Sequence, residues 1–415
     1  MGMITCLILL INVSFKIVAV QGMMFTASSV LCPLVASIYL FVLKNYSLVQ
    51  QRHILNQSLL ALYLFSIGIY LLVNLPAAEY MHDNPAYQIV FEDIPKKFFA
   101  ATLAFGLSFY LPHLFCCSSQ LNILASPKKR LLLALLGGFF FFSLDFILLF
   151  SEPHAHSFSR IYIDSLMICV ALLLLIGIIY LACLLNYRPA KVKDHKSQPT
   201  YLSAFLYHYL AAFSVTILLI CLACEYRLVS FSNGWTLAAS GILFPLTMMA
   251  SNLIGELYGC KANLRLTAVL LLTELTFDLL LMGTVVLPSP DFFNLNPFYS
   301  FILPRRIPAS TLALFVTFVS NSLLLEYLKK TSLGYNRGLR ILIANLFAIT
   351  LLCLVNYSLL FGGIYPYEQI FNLAISAWTY KIVAMVVGLP LVLWLYNVFN
   401  RQTVSPVSYL RPKAP

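Results

Sequence analysis

The sequence predicts an all-α integral membrane protein of about 12 transmembrane helices, arranged as two parallel six-helix repeats. Three observations predict it. Of the 415 residues, 61% are hydrophobic and 10% charged, and the mean hydropathy is +0.88; a soluble domain carries about 25% charged residues. Apolar runs repeatedly reach the ~20 residues that cross a bilayer. The chain also repeats itself at a spacing of 212 residues. Ala27 to Leu34 (ASSVLCPL) returns as Ala239 to Leu246 (ASGILFPL), Asn84-Pro85-Ala86-Tyr87 as Asn296-Pro297-Phe298-Tyr299, and Ile94-Pro95, with the spacing off by one, as Ile307-Pro308. Copies with an even number of spans share one orientation, so an axis along the membrane normal is expected to relate them.

Spans are expected at 3–21, 23–43, 54–75, 97–118, 131–150 and 160–185 in the first copy. In the second they are expected at 205–226, 234–255, 264–287, 309–328, 341–362 and 370–398. The first run reads as a membrane helix and not a signal peptide. Met1 to Phe15 hold no Lys or Arg to form a basic n-region, and the run contains Lys16 and has a counterpart in the second copy. The second span of each copy, after Gly22 or Gly234, mixes small residues and hydroxyls with Pro33 or Pro245. A proline inside a helix leaves one carbonyl without its donor, so these spans are either close-packing helices or the kinked walls of a binding site. The longest outer loops, about 76–96 and 288–308, carry Tyr80, Tyr87, Phe91, Phe292, Phe293, Phe298 and Tyr299, which fit an interfacial aromatic belt or a lid. Arg188 to Thr200 (RPAKVKDHKSQPT) is a basic linker, so the domains are 1–187, the linker 188–200, 201–402 and a tail, 403–415.

The net charge of +11 reports topology and not nucleic-acid binding. On these spans, 18 of the 26 Lys and Arg residues fall on one side, six (Lys96, Lys97, Arg160, Arg227, Arg305, Arg306) on the other, and Lys16 and Lys381 inside spans. The positive-inside rule places both termini in the cytoplasm. The ten cysteines sit mostly within spans and read as small packing residues, including Cys116-Cys117 after His113 and the pair Cys221 and Cys224. His154 and His156 beside Glu152 read as a solvated loop, with metal binding the lesser alternative. No cofactor or metal is expected.

Ionisable groups inside spans are costly and are therefore functional candidates. Glu274 and Asp278 stand four residues apart on one helix face; at the 212 spacing the first copy reads Leu62 and Ser66. A carboxylate pair can hold a cation, a proton or a cationic ligand group, or simply pair with Lys381 or Arg306. Lys381, in Trp378-Thr379-Tyr380-Lys381, falls on Cys169 of the first copy. Lys16 and its counterpart Arg227 read as chains that snorkel to the interface. The densest motif runs from Pro245 to Gly259 (PLTMMASNLIGELYG), with Asn252 and Glu256 on one face and Lys261 and Arg265 following; the first copy has Lys44 where Glu256 stands.

Phe244-Pro245-Leu246-Thr247, Ser251-Asn252 and Glu256-Leu257-Tyr258-Gly259 resemble the pattern of the queuosine precursor transporter family, also called vitamin-uptake-transporter-like. That pattern is F-P-L-T-F, a Ser/Thr-Asp pair and E-x-Y-G. Arg306 to Ser310 with Ser320-Asn321, and Tyr380-Lys381 with Pro390, match its later helices. The resemblance covers residues 200–400, with 10–185 as a degraded copy, and Asn252 stands where the family has Asp. It implies a non-enzymatic transporter importing a 7-deazaguanine base, queuine or a similar purine-like base, across the bacterial inner membrane. Asn252, Glu256, Glu274, Asp278, Arg306, Asn321, Trp378 and Lys381 are the expected substrate-binding residues, with Phe244 and Trp235 as further stacking partners. The alternatives are a transporter of another vitamin-like solute and a non-transporting scaffold. A lipid-modifying membrane enzyme would need Asp-rich phosphate and metal clusters, and the chain has none; it also lacks a G-x-x-x-x-G-K-[ST] loop.

The charge bias makes the linker cytoplasmic. A cysteine placed at Lys193, in a chain whose native cysteines are replaced, is expected to react with an impermeant maleimide only after cells are opened. Labelling of intact cells would reverse the topology.

Overall fold

The computed structural model describes residues 1–14, 16–76, 94–118, 126–150, 158–185, 201–225, 227–231, 235–290, 296–331, 335–363 and 366–404. The linker 188–200, the residues His154, His156, Tyr80, Tyr87, Phe91, Phe292 and Phe293, the landmark Asn84 to Tyr87 and the end of the tail lie outside them.

The described chain is helical apart from two short hairpins. The elements of the first half are α1 (Gly2–Val13), β1 (Ile17–Val20), β2 (Met23–Thr26), α2 (Ser28–Asn45) and α3 (Leu48–Val73), then α4 (Ile94–Phe105), α5 (Leu111–Ser118), α6 (Pro127–Leu149) and α7 (Phe158–Leu185). Those of the second half are α8 (Tyr201–Ala223), β3 (Leu228–Ser230), β4 (Thr236–Ala238), α9 (Ala239–Tyr258), α10 (Cys260–Val286), α11 (Asn296–Lys329), α12 (Arg337–Phe361) and α13 (Tyr367–Val404). Each half thus runs helix, hairpin, then further helices. Among the described residues, ten helices are long and apolar enough to cross a membrane.

The two elements outside that set depart from the expectation of twelve for physical reasons. The run expected to span 3–21 is helical only to Val13, about 18 Å at 1.5 Å per residue, short of the ~30 Å hydrocarbon core. It then turns into the β1–β2 hairpin through Gln21-Gly22, both at positive φ (49° and 83°), the geometry of a two-residue turn matched to strand twist. β-branched Ile17, Val18 and Val20 favour the strand over a continued helix. The second exception, α9, has sufficient length but carries Asn252 and Glu256, and β4 occupies the start of the run expected at 234–255. α1 is apolar all round and is buried accordingly: Leu7, Ile8, Leu9 and Leu10 have no exposure.

Two compact units form. Unit 1 comprises Met1–Val73, Asp83–His195 and Thr276–Leu303; unit 2 comprises Asn74–His82, Lys196–Leu275 and Pro304–Pro415. Each unit therefore includes a segment from the other half of the sequence. In unit 1, the Ala19 amide donates to the Pro288 carbonyl (2.9 Å) and Lys16 Nζ to the Val285 carbonyl (2.6 Å). In unit 2, the Ser230 amide donates to the Pro76 carbonyl (3.1 Å) and Arg227 to the Leu75 carbonyl (2.7 Å). Lys16 and Arg227, expected to snorkel, are instead buried at 2% and 5% exposure and cap backbone carbonyls.

Within unit 1, Pro112 cannot donate to the Ser108 carbonyl four residues back, and the ladder widens there into a π turn, Gly106–Tyr110, between α4 and α5. α6 packs on α2 and α7 through Gly138, where a Cβ would lie 2.7 Å from Ala36 Cβ and 2.8 Å from Leu173 Cδ2. Unit 2 packs Leu325, Ile341, Ala344 and Val392 of α11, α12 and α13 against Met249 of α9.

Gly138→Ala is expected to destabilise the protein by about 1–3 kcal/mol through overpacking. Gly283→Ala, where a Cβ meets nothing within 4 Å, should be neutral or gain up to about 1 kcal/mol of helix propensity. Melting in detergent checks the pair; equal shifts would refute the crossing.

Candidate functional site

Unit 2 contains a cavity built from α8, β4, α9, α11, α12 and α13. Proline chemistry shapes its wall. Pro245 has no N–H to offer the Gly241 carbonyl, and Gly241 lines the cavity. A Cβ at Gly241 would stand 3.6 Å from Lys381 Cε, an ordinary van der Waals contact, so α9 and the lysine stem pack side by side here. Pro304 and Pro308 lie inside α11 on either side of Arg306, and Ser310 of the same helix lines the cavity.

Lys381 is the dominant charge in the wall. It is 4% exposed. Its Nζ lies 5.5 Å from the centre of the Phe244 ring and 5.6 Å from that of Tyr357, with Cys353 Sγ at 3.9 Å. Cation–π contact of this kind is worth more when desolvated, roughly 2 kcal/mol. Among the described residues no carboxylate lies within ion-pair distance of it. Across the lining, Glu225 is already engaged: Arg306 Nε stands 3.6 Å from its Oε2, and Ser310 Oγ stands 3.4 and 3.5 Å from its two oxygens. Arg306 also donates to the Leu222 carbonyl at 3.1 Å, which covers the open end of α8. Asn356 Oδ1 lines the same space, and no hydrogen-bond partner reaches it among the described residues. The cavity volume is about 50 Å³, room for a few waters at roughly 10–15 Å³ each; a bicyclic ligand enters only if the lining helices part.

Further along α9 is a buried amide relay. Asn321 Nδ2 donates to Asn252 Oδ1 (3.0 Å), and Asn252 Nδ2 donates to Asn345 Oδ1 (2.9 Å). Asn321 Oδ1 and Asn345 Nδ2 are left without partners among the described residues. A second chain runs from Ser251 Oγ to Asn263 Oδ1 and from Asn263 Nδ2 to Ser322 Oγ, both at 2.9 Å. One turn on, Glu256 is an ionic hub. Arg340 binds it through Nε and Nη2, and Arg337 Nε and Lys329 Nζ lie at 3.6 and 3.8 Å. Lys329 also donates to the Gly255 carbonyl (2.8 Å), and Arg337 lies over the Tyr396 ring at 3.9 Å.

The expected site residues therefore fall at separate levels. Lys381 lines the cavity, and Arg306 stands behind it through Glu225. Asn252 and Asn321 form the relay. Glu256 belongs to the ionic hub. Trp378 is half-buried and donates from its indole to Thr350 Oγ1 at 3.0 Å, outside the cavity lining. Glu274 and Asp278 are both fully buried on α10, on either side of the boundary between units. Sequence reasoning did not select Glu225, Tyr357, Asn356 or Asn345 for the site. Glu225 carried the one available signal, an acid at the end of a span beside Arg227; the amides and Tyr357 are indistinguishable by sequence from packing residues.

Comparison with known families places a description on this geometry. Residues 238–395 match the family described as "Putative vitamin uptake transporter". The match takes in α9 to most of α13, the helices that carry Phe244, Asn252, Glu256, Arg306, Tyr357 and Lys381. The second half of the chain is thus similar to a family whose description names small-molecule transport. No curated protein and no solved structure matches the chain.

Removing one partner of a buried ion pair costs roughly 3–5 kcal/mol. Glu256→Gln, which strands three cations, is expected to lower the melting temperature more than Arg340→Met, which leaves Glu256 with Arg337 and Lys329. The reverse order would show that the hub is not centred on Glu256.

Proposed function

We propose that the chain is an integral membrane transporter that imports a queuosine precursor, a 7-deazaguanine base, and that the unit 2 cavity is where the base binds. The observation that carries this reading is Lys381, a buried ammonium beside two aromatic rings with no carboxylate on it among the described residues, in the stretch similar to a transporter family. A ligand that suits such a wall is planar, stacks on Phe244 or Tyr357, accepts from Lys381 and donates to Asn356. A purine-like base has those edges: its lactam oxygen accepts, and its ring N–H and exocyclic amine donate. Arg306 and Ser310 hold Glu225 in place as a further acceptor. The wall carries Lys381 and Glu225, and Arg306 neutralises Glu225 from behind, which favours a neutral base over a cationic one.

Asn252, two turns from Phe244 along α9, with Asn321 of α11 and Asn345 of α12, serves as the polar step beyond the cavity, the unspent Asn321 acceptor and Asn345 donor reading the same edge. Glu256 and its cations close the path at the end of α9. Glu274 is a further candidate ligand, with Asp278 one turn on. The two halves descend from a duplicated six-helix unit, as their common element order and the 212 spacing support, and both termini lie in the cytoplasm of a bacterial cell. Of the other small vitamin-like solutes, a purely aliphatic one would waste the cation–π wall.

Uptake of radiolabelled queuine and its precursors in a host unable to synthesise them tests the reading. The wild-type chain is expected to restore uptake. Lys381→Met and Glu274→Gln should each abolish it, with melting temperatures near wild type. Absence of uptake by the wild type would remove the substrate; normal uptake by both variants would remove the site.

A further inference from the structure

Unit 1 holds a buried acid that sequence reasoning passed over. Asp145 of α6 is 1% exposed, and neither of its carboxylate oxygens has a hydrogen-bond partner among the described residues. Its place follows from the Gly138 crossing. Asp145 is two turns further along the face of α6 that meets Ala36 of α2 and Leu173 of α7. One turn from those contacts stand Cys32 and Cys169, and the Cys32 thiol lies within electrostatic reach of both Asp145 and Cys169. Another turn on, Ser165 Oγ accepts from the Thr26 amide (2.9 Å), and Thr26 and Ser28 share a hydrogen bond at 2.8 Å.

The elements packed on α6 are α2, α4, α7 and the π turn. Their charged and titratable groups on this side are Cys32 of α2 and Tyr162, Asp164 and Cys169 of α7, with Lys96 and Lys97 of α4 and Tyr110 of the π turn; the Tyr162 ring stands 5.1 Å from that of Phe146. Asp164 accepts from the Met24 amide (3.0 Å), Tyr110 donates to Asn56 (2.8 Å), and Lys97 is buried. None of them is an ion-pair partner of Asp145 among the described residues.

At the 212 spacing, Asp145 stands where Tyr357 stands, Cys169 where Lys381 stands, and Cys32 where Phe244 stands. The helix contact that places a cation beside the unit 2 cavity therefore places an acid in unit 1. A carboxylate in such surroundings is costly to keep as an anion, and water or a cation that reaches it lowers that cost. Such a group suits an ion relay better than a helix glue, because among the described residues nothing binds it to a neighbour.

We propose that Asp145 is a proton-binding site and that its loading and release supply the driving ion for uptake. The step is R–COO⁻ + H⁺ ⇌ R–COOH, with no other atom exchanged. The driving role rests on the transport reading above; the proton site does not.

The test uses the full chain in lipid vesicles. Dicyclohexylcarbodiimide adds to protonated carboxyls in apolar surroundings, and peptide mapping by mass spectrometry locates the adduct. Asp145 should be labelled at neutral pH, less as pH rises, and not in Asp145→Asn. Asp145→Glu, which keeps the acid, should regain labelling, and it carries the comparison if the Asn variant does not fold. In vesicles taking up radiolabelled queuine, an acid-outside gradient of one pH unit should drive roughly tenfold accumulation for one proton per solute. Asp145→Asn should lose the accumulation and keep solute exchange without a gradient, a split that a merely structural role does not produce. A folded wild-type chain with no adduct at Asp145 overturns the site. Equal accumulation by wild type and Asp145→Asn, or uptake driven by a sodium gradient instead, overturns the driving role. If neither chain takes up queuine, the transport reading fails, while the carbodiimide result still decides the proton site.

Discussion

Inside a bilayer no water is available to bond a stray amide, carbonyl or charge, so the chain must satisfy each from its own atoms. Much of this architecture answers that requirement. The hairpins pair their own strands, and in each unit a basic residue at the hairpin base covers carbonyls at the end of a third helix: Lys16 on Val285, Arg227 on Leu75. Pro112 frees the Ser108 carbonyl and the helix responds with a π turn. Asn252, Asn321 and Asn345 bond one another in sequence across three helices. Bonds of this kind average only about 0.6 kcal/mol between membrane helices; they set which helices meet more than how firmly they hold.

Against that background the groups left unsatisfied become informative. Asn356 Oδ1 opens into the cavity, the ends of the asparagine relay are unspent, and Asp145 has no partner among the described residues. Lys381 has aromatic faces and a thiol in place of a counter-ion. Such groups are costly to keep in an apolar interior, and the 212-residue spacing of the sequence pairs them with positions of different charge. Where unit 2 presents Lys381, unit 1 presents Cys169, and where unit 2 presents Tyr357, unit 1 presents Asp145.

The ionic hub at Glu256 is of another kind. It is fully engaged by three cations and ties α9 to α11 and α12 at the end of the helix. Its charges neutralise locally, which suits a seal that must break for a path to open and suits a ligand contact less well. The sequence motif that marks Glu256 most sharply thus marks a locally neutralised ion cluster, while the wall of the cavity is drawn from residues with weaker motifs.

The amino-acid sequence by itself determined the class of the molecule, because hydropathy and span length are properties of the residues alone. It also determined the internal spacing, the mid-helix prolines and the candidacy of Lys381, since a charge in an apolar run stands out wherever the chain folds. Asp145 was equally legible as an acid inside a span; what the sequence could not show is that it has no partner among the described residues. The tertiary structure decided the rest. Lys16 to Thr26 become a hairpin because a glycine at positive φ and β-branched neighbours outweigh apolar content. Glu225, Asn356 and Tyr357 meet Lys381 only when three helices converge. The separation of cavity, amide relay and ionic hub follows from the 1.5 Å rise of one helix, α9, which carries Phe244, Asn252 and Glu256 past different neighbours. Composition reports what a residue costs in a membrane; only packing reports which neighbour meets that cost.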